Sequence, residues 1–302
     1  MQAIQLIINP TAGRGRVRQF LPRLLRELSA AGVPFEHTLT TQPGEARELA
    51  RCAAERGVLS IIAAGGDGTV HEVANGLMQA GNPDTTLGII PLGSGNDLVK
   101  ALGLPLDPLA AIAVVKQEQR RWIDLGQLGS RYFVNGLGIG LDGAVAWRNS
   151  RLKHLRGEWA YLWGALREAV SFRSFSLKLQ ALDWTYEGGA LLTGACNGPF
   201  QGGNFRMAPQ AQPDDGLLDL YVIENFSILE RLVHLPDVRR GSHLRLKQVH
   251  LVKVPWVSLE IERPILAHMD GEPFTLAPGA HQVTVKAHAL PVLCGKATGV
   301  VA

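Results

Sequence analysis

"AAGGDGTVHEVANGL", residues 63–77, continues the apolar run "VLSIIAAGG" and leads into residues with helical spacing. An uninterrupted apolar strand implies burial on both faces, as in a parallel sheet. Gly65, Gly66 and Gly68 surround a single acid, Asp67, so the segment reads as strand, tight turn and helix. Thr69 and Glu72 have capping-box spacing, and Val70, Val73, Ala74 and Leu77 make one helical face. Glycines just ahead of a helix let a ligand approach the backbone and its N–H groups.

The flanking sequence repeats this rhythm. Upstream stand a strand, "AIQLIINP", a helix from about Val17 to Ala31, a second strand, "PFEHTLTT", and the helix "EARELARCAAERG". Downstream come the strand "TLGIIPLG" and a helix beginning near Asn96. The alternation predicts an α/β lobe with a mostly parallel sheet. Beyond Trp122 the chain changes to short alternating stretches such as "FSLKLQALDWTYEGG", "WVSLEIERP" and "ILAHMDGEPFTL". These predict a second, antiparallel lobe, with one helix in "EWAYLWGALREAVSF" and another starting at Ser227.

Two more small-residue loops follow strands, "NPTAGRG" at residues 9–15 and "PLGSGNDL" at residues 91–98. Parallel sheets bind ligands outside the carboxyl ends of their strands, so three such loops predict one phosphate-holding rim. No GxxxxGK[ST] occurs, and Leu98 stands where a dinucleotide fingerprint needs its third glycine. A literal GxGxxG at Gly138–Gly143 opens no β-α-β unit and reads as a decoy.

Composition narrows the function classes. Among 302 residues, 46% are hydrophobic and 19% charged, as in soluble globular proteins. A net charge of +3 is too small to indicate nucleic acid. No apolar run reaches the roughly 18 residues that span a bilayer, and the N-terminus shows no export signal. Cys52, Cys196 and Cys294 form no CxxC pair, which fits a reducing cytosol and packed thiols.

"GGDGTVHEVANGL" and "PLGSGNDLVKALGLP", with "NPTAG", "TTQPGEA", "APQAQPDDGLLDL" and "DGEPF" in order, resemble the catalytic domain shared by diacylglycerol, sphingosine and ceramide kinases and bacterial lipid kinases of the YegS type. NAD kinases share GGDG but not the PLGSGND loop or the DDGxLD segment in this arrangement. The resemblance implies an ATP-binding α/β domain at 1–124 and a β-sandwich domain at 125–288, with the active site between them. Residues 289–302 form a segment that in the family often returns to the first lobe.

The resemblance also implies roles. Asn9, Pro10, Thr11, Ala12, Gly13, Thr40, Gly66, Asp67, Gly68, Thr69, Val70, His71, Glu72, Ser94 and Asp97 would hold ATP, with Thr40 and Thr41 one register apart as alternatives. Asp67 would organise a catalytic Mg²⁺ through water, with Asp97 a second carboxylate or simply a helix N-terminal acid. Arg14 stands where relatives often carry lysine. Glu272 would be the general base. Asp215, with the carbonyls of Gln212 and Leu217, would hold a structural Mg²⁺. The implied activity is transfer of the ATP γ-phosphate to a lipid hydroxyl by a cytoplasmic protein acting at the inner membrane surface. Alternatives are phosphorylation of a soluble hydroxyl compound such as NAD, or nucleotide or lipid binding without catalysis. The basic clusters "RNSRLKHLRG" and "RRGSHLRLK" read either as solvated faces or as contacts to an anionic leaflet. Oligomeric state, a homodimer included, is not specified by any of these features.

Overall fold

A computed structural model describes residues 2–151 and 166–295. The chain divides into two units, one formed by residues up to Ile123 together with those from His288, the other by Asp124–Ala287.

In the first unit, strands β1 (Ile4–Ile8), β2 (Phe35–Leu39), β3 (Ser60–Gly65) and β4 (Thr86–Pro91) pair in parallel in the order β2-β1-β3-β4. Val292, near the end of the described chain, adds a parallel bridge opposite Leu87 of β4. Every residue of β1 and β4 is buried, and so is all of β3 after Ser60. This is the two-sided burial that their unbroken apolar sequences require. The edge strand β2 has no fully buried residue. The helices are α1 (Arg16–Ala30), α2 (Glu45–Glu55), α3 (Asp67–Ala80), α4 (Asp97–Ala101) and α5 (Pro108–Gln117). On α1, Val17, Leu24 and Leu28 are buried, with Phe20 and Leu25 packed beside them.

The helix expected from Asn96 is two helices. "GLPLD" interrupts it, because proline disfavours helix in the residue before it and Asp107 starts a new helix. The Asp107 carboxylate accepts the N–H groups of Leu109 and Ala110 at 3.4 and 3.2 Å, with Pro108 in the first turn.

In the second unit the order is β5 (Arg120–Leu128), β6 (Arg131–Phe133), β7 (Gly136–Gly140), α6 (Leu141–Arg151), β8 (Phe175–Ala181), β9 (Trp184–Cys196), β10 (Leu218–Glu224), α7 (Ile228–Arg240), β11 (Val249–Val254), β12 (Trp256–Ile261), β13 (Ile265–Met269), β14 (Glu272–Leu276) and β15 (Gly279–Leu293). β5 begins and β15 ends in the first unit, where Val292 of β15 makes the parallel bridge to β4; the strand pairs of the second unit are antiparallel. The long strand β9 pairs with β8 along its first half, and with β7 and β10 along its second. β8 alternates buried and exposed residues along its whole length, as "FSLKLQA" predicts. The architecture is thus an α/β lobe with parallel strands plus an antiparallel β-sandwich, as the sequence indicates.

Helix α6 is an addition to that reading. Its first turn, "LDGA", is as apolar and glycine-rich as the strand before it, so no change of period marks the boundary. Residues 158–165 of the expected helix "EWAYLWGALREAVSF", and 152–157 of the first basic cluster, lie outside the described residues.

α7 does begin after Ser227. The Ser227 hydroxyl accepts the Glu230 N–H at 3.3 Å, and the Glu230 carboxylate accepts the Ser227 N–H at 2.8 Å. Replacing Ser227 by alanine should cost the second unit about 1 kcal/mol, read by urea denaturation. An unchanged midpoint would show that packing alone sets the start of α7.

Candidate active site

Loops following β1, β3 and β4 are tied to one another in the first unit. The Asn9 N–H donates to the Ala64 carbonyl at 3.0 Å, and the Leu92 N–H to the Gly65 carbonyl at 2.8 Å. Asn9 Nδ2 donates to Thr69 Oγ1 at 3.2 Å, while Asn9 Oδ1 accepts the Thr11 N–H and hydroxyl at 3.0 and 2.8 Å. Gly13 has φ +57°, and a Cβ there would lie 2.5 Å from the Leu92 carbonyl oxygen. At Gly93 a Cβ would lie 2.5 Å from Gly66 Cα. These glycines are needed first so that the loops can touch each other. The reading that they clear space for a ligand is incomplete on its own.

Asp67 occupies the first position of α3, and its two carboxylate oxygens accept the N–H groups of Asn96 and Asp97 at 2.8 and 2.6 Å. It therefore caps α4, a helix other than its own, and fixes the loop that carries Ser94. Glu72, one turn further along α3, accepts the N–H groups of Gly44 and Ala46 at 2.8 and 3.1 Å and so caps α2. This corrects the capping-box reading: the N-cap of α3 is Gly66, without a side-chain cap, and Glu72 reaches across to α2 instead of back to its own turn. A spacing of three residues fits both arrangements, and the approach of α2 decides between them. Gly76 permits that approach, since a Cβ there would collide with the Arg47 carbonyl.

The other expected ATP contacts differ in exposure. Ser94 and Thr11 are exposed, and Gly66, Asp67, Gly68, Ala12 and Gly13 are half-buried. Pro10, Thr40, Thr69, Val70, His71 and Asp97 are buried, and the Val70 N–H already donates to the Gly66 carbonyl at 3.1 Å. The Thr41 hydroxyl and N–H both donate to Glu45, at 2.9 and 2.6 Å, whereas the Thr40 N–H extends β2 by donating to the Ile8 carbonyl at 2.8 Å. Asp97 Oδ1 lies 3.6 Å from Lys100 Nζ. Asp67 and Asp97, at the starts of α3 and α4, are hard oxygen donors of the kind Mg²⁺ takes.

In the second unit, β13 and β14 form a hairpin in which Met269 faces Glu272. Asp270 and Gly271 have φ of +50° and +88°, as the primed turn in "DG" requires. Glu272 opens β14 and is exposed. The Asp270 carboxylate accepts the N–H groups of Val134, Asn135 and Gly136 at 2.8, 2.8 and 3.0 Å. His268, 3% exposed, accepts the Gly271 N–H on Nδ1 at 3.1 Å, and its Nε2 lies 2.9 Å from Asp142 Oδ2. Burial acts to lower the His268 pKa, but the carboxylates of Asp142, Asp270 and Glu272 outweigh it and leave the net value raised.

The GxGxxG segment belongs to this hairpin and not to a dinucleotide. At Gly138 a Cβ would collide with His268 Nε2, at 2.5 Å, and with Asp142 Oδ2. At Gly143 it would collide with the backbone of β13, 2.5 Å from the Ala267 nitrogen. His268 and Asp142 were missed in the sequence. Their one signal is an acid and an imidazole inside otherwise apolar stretches.

The turn at 212–217 is tied to Asp124, a fully buried acid whose carboxylate accepts the Gly216 N–H at 2.6 Å. Asp124 also donates its own N–H to the Pro213 carbonyl at 2.6 Å. Asp215 accepts the Leu217 N–H at 3.1 Å and meets Lys253 Nζ at 2.5 Å, and the same ammonium lies 3.5 Å from Asp219. Burial raises the Asp219 pKa, Lys253 opposes that shift, and Asp215 adds to it. The oxygens of Asp215, Gln212 and Leu217 suit Mg²⁺ by type, yet Lys253 already neutralises the carboxylate that would bind it. No cluster of three or more acidic, histidine or cysteine ligands occurs among the described residues.

The second unit also holds an apolar cavity, part of it open to solvent. Leu191, Phe205, Met207, Ile223 and Phe226 form its walls, and Asp142, Arg231 and His234 supply polar groups.

Asp67→Ala removes two charge-assisted hydrogen bonds to loop amides, each worth about 1.5–3 kcal/mol. Its apo protein should melt lower than wild type by calorimetry. Unchanged melting would mean that the 92–97 loop holds its shape without Asp67.

Residues 3–128 match the Diacylglycerol kinase catalytic domain, and residues 136–294 match the YegS C-terminal NAD kinase beta sandwich-like domain. The chain is 37% identical to a probable lipid kinase YegS-like protein of Chromohalobacter salexigens, over 80% of this chain and 79% of that one. It is 32% identical to a diacylglycerol kinase of Bacillus subtilis, over 92% of each chain. The crystal structure of a putative diacylglycerol kinase from Bacillus anthracis superposes with a TM-score of 0.80 at 25% identity, covering 98% of this chain and 96% of that one. No described helix is long and apolar enough to cross a membrane. With both of its units matched in order by the two domains of these kinases, the chain belongs to the diacylglycerol kinase catalytic-domain family, among the YegS-like lipid kinases.

Proposed function

We propose that this protein transfers the γ-phosphate of ATP to the hydroxyl of an acyl lipid. The observation that carries the lipid half of this reading is the apolar cavity of the second unit. Its lining is almost wholly apolar, and such walls suit a hydrocarbon chain. A soluble acceptor such as NAD, the second reading, is favoured only by the GGDG turn and the sandwich type of the second unit.

In this proposal the loops of the first unit bind ATP, from Asn9 to Gly13, at Thr40, from Gly66 to Glu72, and at Ser94. Their backbone amides and hydroxyls face phosphate oxygens. Asp67 and Asp97 hold Mg²⁺ through water, and the ion's contribution is to offset charge on the phosphates. Preorganisation favours this arrangement, because the Asn96 and Asp97 amides already fix the position of the Asp67 carboxylate.

Glu272 accepts the proton of the attacking hydroxyl. Its exposure at the start of β14 suits a base that must reach a substrate, and such a base contributes about 10²–10⁴-fold. Asp215, Gln212 and Leu217 form a structural Mg²⁺ site, with Lys253 competing for the Asp215 carboxylate. Exposed Arg239, Arg240 and Arg245 in the second basic cluster suit attraction of the protein to an anionic leaflet from the cytoplasmic side.

Glu272→Gln should lower kcat by at least about 10²-fold and leave the melting temperature unchanged. Wild-type activity in that variant would remove Glu272 from the mechanism. A γ-labelled ATP assay against diacylglycerol, phosphatidylglycerol, sphingosine and NAD should label a lipid. Labelling of NAD alone would overturn the acyl-lipid reading. If Lys253 competes with the ion, Lys253→Met should increase the rise in melting temperature caused by Mg²⁺, and Asp215→Asn should abolish that rise. No response to Mg²⁺ in Lys253→Met would contradict the structural site.

A further inference from the structure

We propose that the buried His268–Asp142 pair is a positioning device for Glu272, holding the Asp270–Gly271 turn in the one conformation that presents the carboxylate. This inference rests on the reading of Glu272 as the general base.

The Asp-Gly sequence permits this turn. Asp270 has φ +50°, a left-handed conformation that aspartate adopts more readily than most residues with a side chain. Two independent holds fix it here. On one side the Asp270 carboxylate takes the three amides of Val134, Asn135 and Gly136. On the other, His268 Nδ1 takes the Gly271 N–H at 3.1 Å. The Gly271 N–H belongs to the Asp270–Gly271 peptide, so the second hold sets the plane of the peptide that leads into Glu272.

His268 can provide that hold in one state only. Accepting the Gly271 N–H requires an unprotonated Nδ1, which leaves the ring proton on Nε2. Nε2 is the nitrogen that faces Asp142 Oδ2, at 2.9 Å. In the neutral ring, a carboxylate at this distance favours the proton on Nε2, which leaves Nδ1 to hold Gly271. A buried carboxylate that fixes the tautomer and direction of an imidazole is a recurrent use of such pairs.

The surrounding sequence makes room for the pair. Gly138 has no Cβ where one would collide with both His268 Nε2 and Asp142 Oδ2. Gly143 lets α6, which carries Asp142, lie against the backbone of β13, which carries His268. Two glycines of the GxGxxG segment thus serve this contact. Asp142 also borders the apolar cavity, so the pair stands between the proposed acyl-chain site and the turn.

The test compares His268→Leu, His268→Asn and Glu272→Gln in the phosphotransfer assay, with calorimetry on each. His268→Leu should lower kcat between about tenfold and a hundredfold, the range for a slightly misplaced reacting group, with KM for ATP unchanged. In His268→Asn the amide oxygen replaces Nδ1 as the acceptor for Gly271, so most of the lost kcat should return. Wild-type kcat in His268→Leu with an inactive Glu272→Gln would overturn the positioning role and leave the base assignment standing. So would an Asn variant no better than the Leu variant. Retained activity in Glu272→Gln would overturn the base assignment, and the inference with it. Should His268→Leu fail to fold, ¹⁵N NMR of the wild-type imidazoles decides. A non-protonated Nδ1 and a protonated Nε2 at His268 are expected, and a protonated Nδ1 would overturn the proposal.

Discussion

The Asp67 carboxylate takes the amides of Asn96 and Asp97 at 2.8 and 2.6 Å, joining the turn after β3 to the loop after β4. Loop amides outside a sheet or helix need an acceptor, and an ionised carboxylate at a helix N-terminus is a strong one. The bond also constrains what lies around it. It draws the two loops together until Gly66 and Gly93 touch, which excludes any side chain at Gly93. Asn9 then closes the third loop onto Thr69. A rim of loops built this way is held from three sides by its own hydrogen bonds.

The same device recurs through the molecule. Glu72 caps α2, Asp124 secures the 212–217 turn, and Asp270 gathers three amides before β7. Each is an acid that a search for chemistry would mark as a ligand or base, and each is first a fastening. Glu272 differs in being exposed at the end of a tightly held turn. Holding the backbone firmly and leaving one carboxylate outward is the arrangement expected of a group that must meet a substrate at a fixed angle.

Much of the fold was legible because its signals are local. Unbroken apolar runs marked β1, β3 and β4, strict alternation marked β8, and Ser227 marked the start of α7. The partner of Glu72 was not legible, since capping within one helix and capping across two have identical spacing. Nor was the work of the glycines: Gly13, Gly93 and Gly138 each face an atom from a distant part of the chain, and sequence distance carries no trace of that. The boundary between β7 and α6 was hidden for another reason, as both sides are small and apolar. The GxGxxG segment could be set aside from sequence, but its purpose needed His268, more than a hundred residues later by simple count of the numbered rows.

The central claim is that the three fastened loops form the ATP site. Amide hydrogen exchange with and without ATP and Mg²⁺ tests it most directly. The account predicts added protection within residues 9–13, 66–72 and 94–97, with none at Gly138–Gly143. Protection at Gly138–Gly143 with no change in those three loops would contradict it.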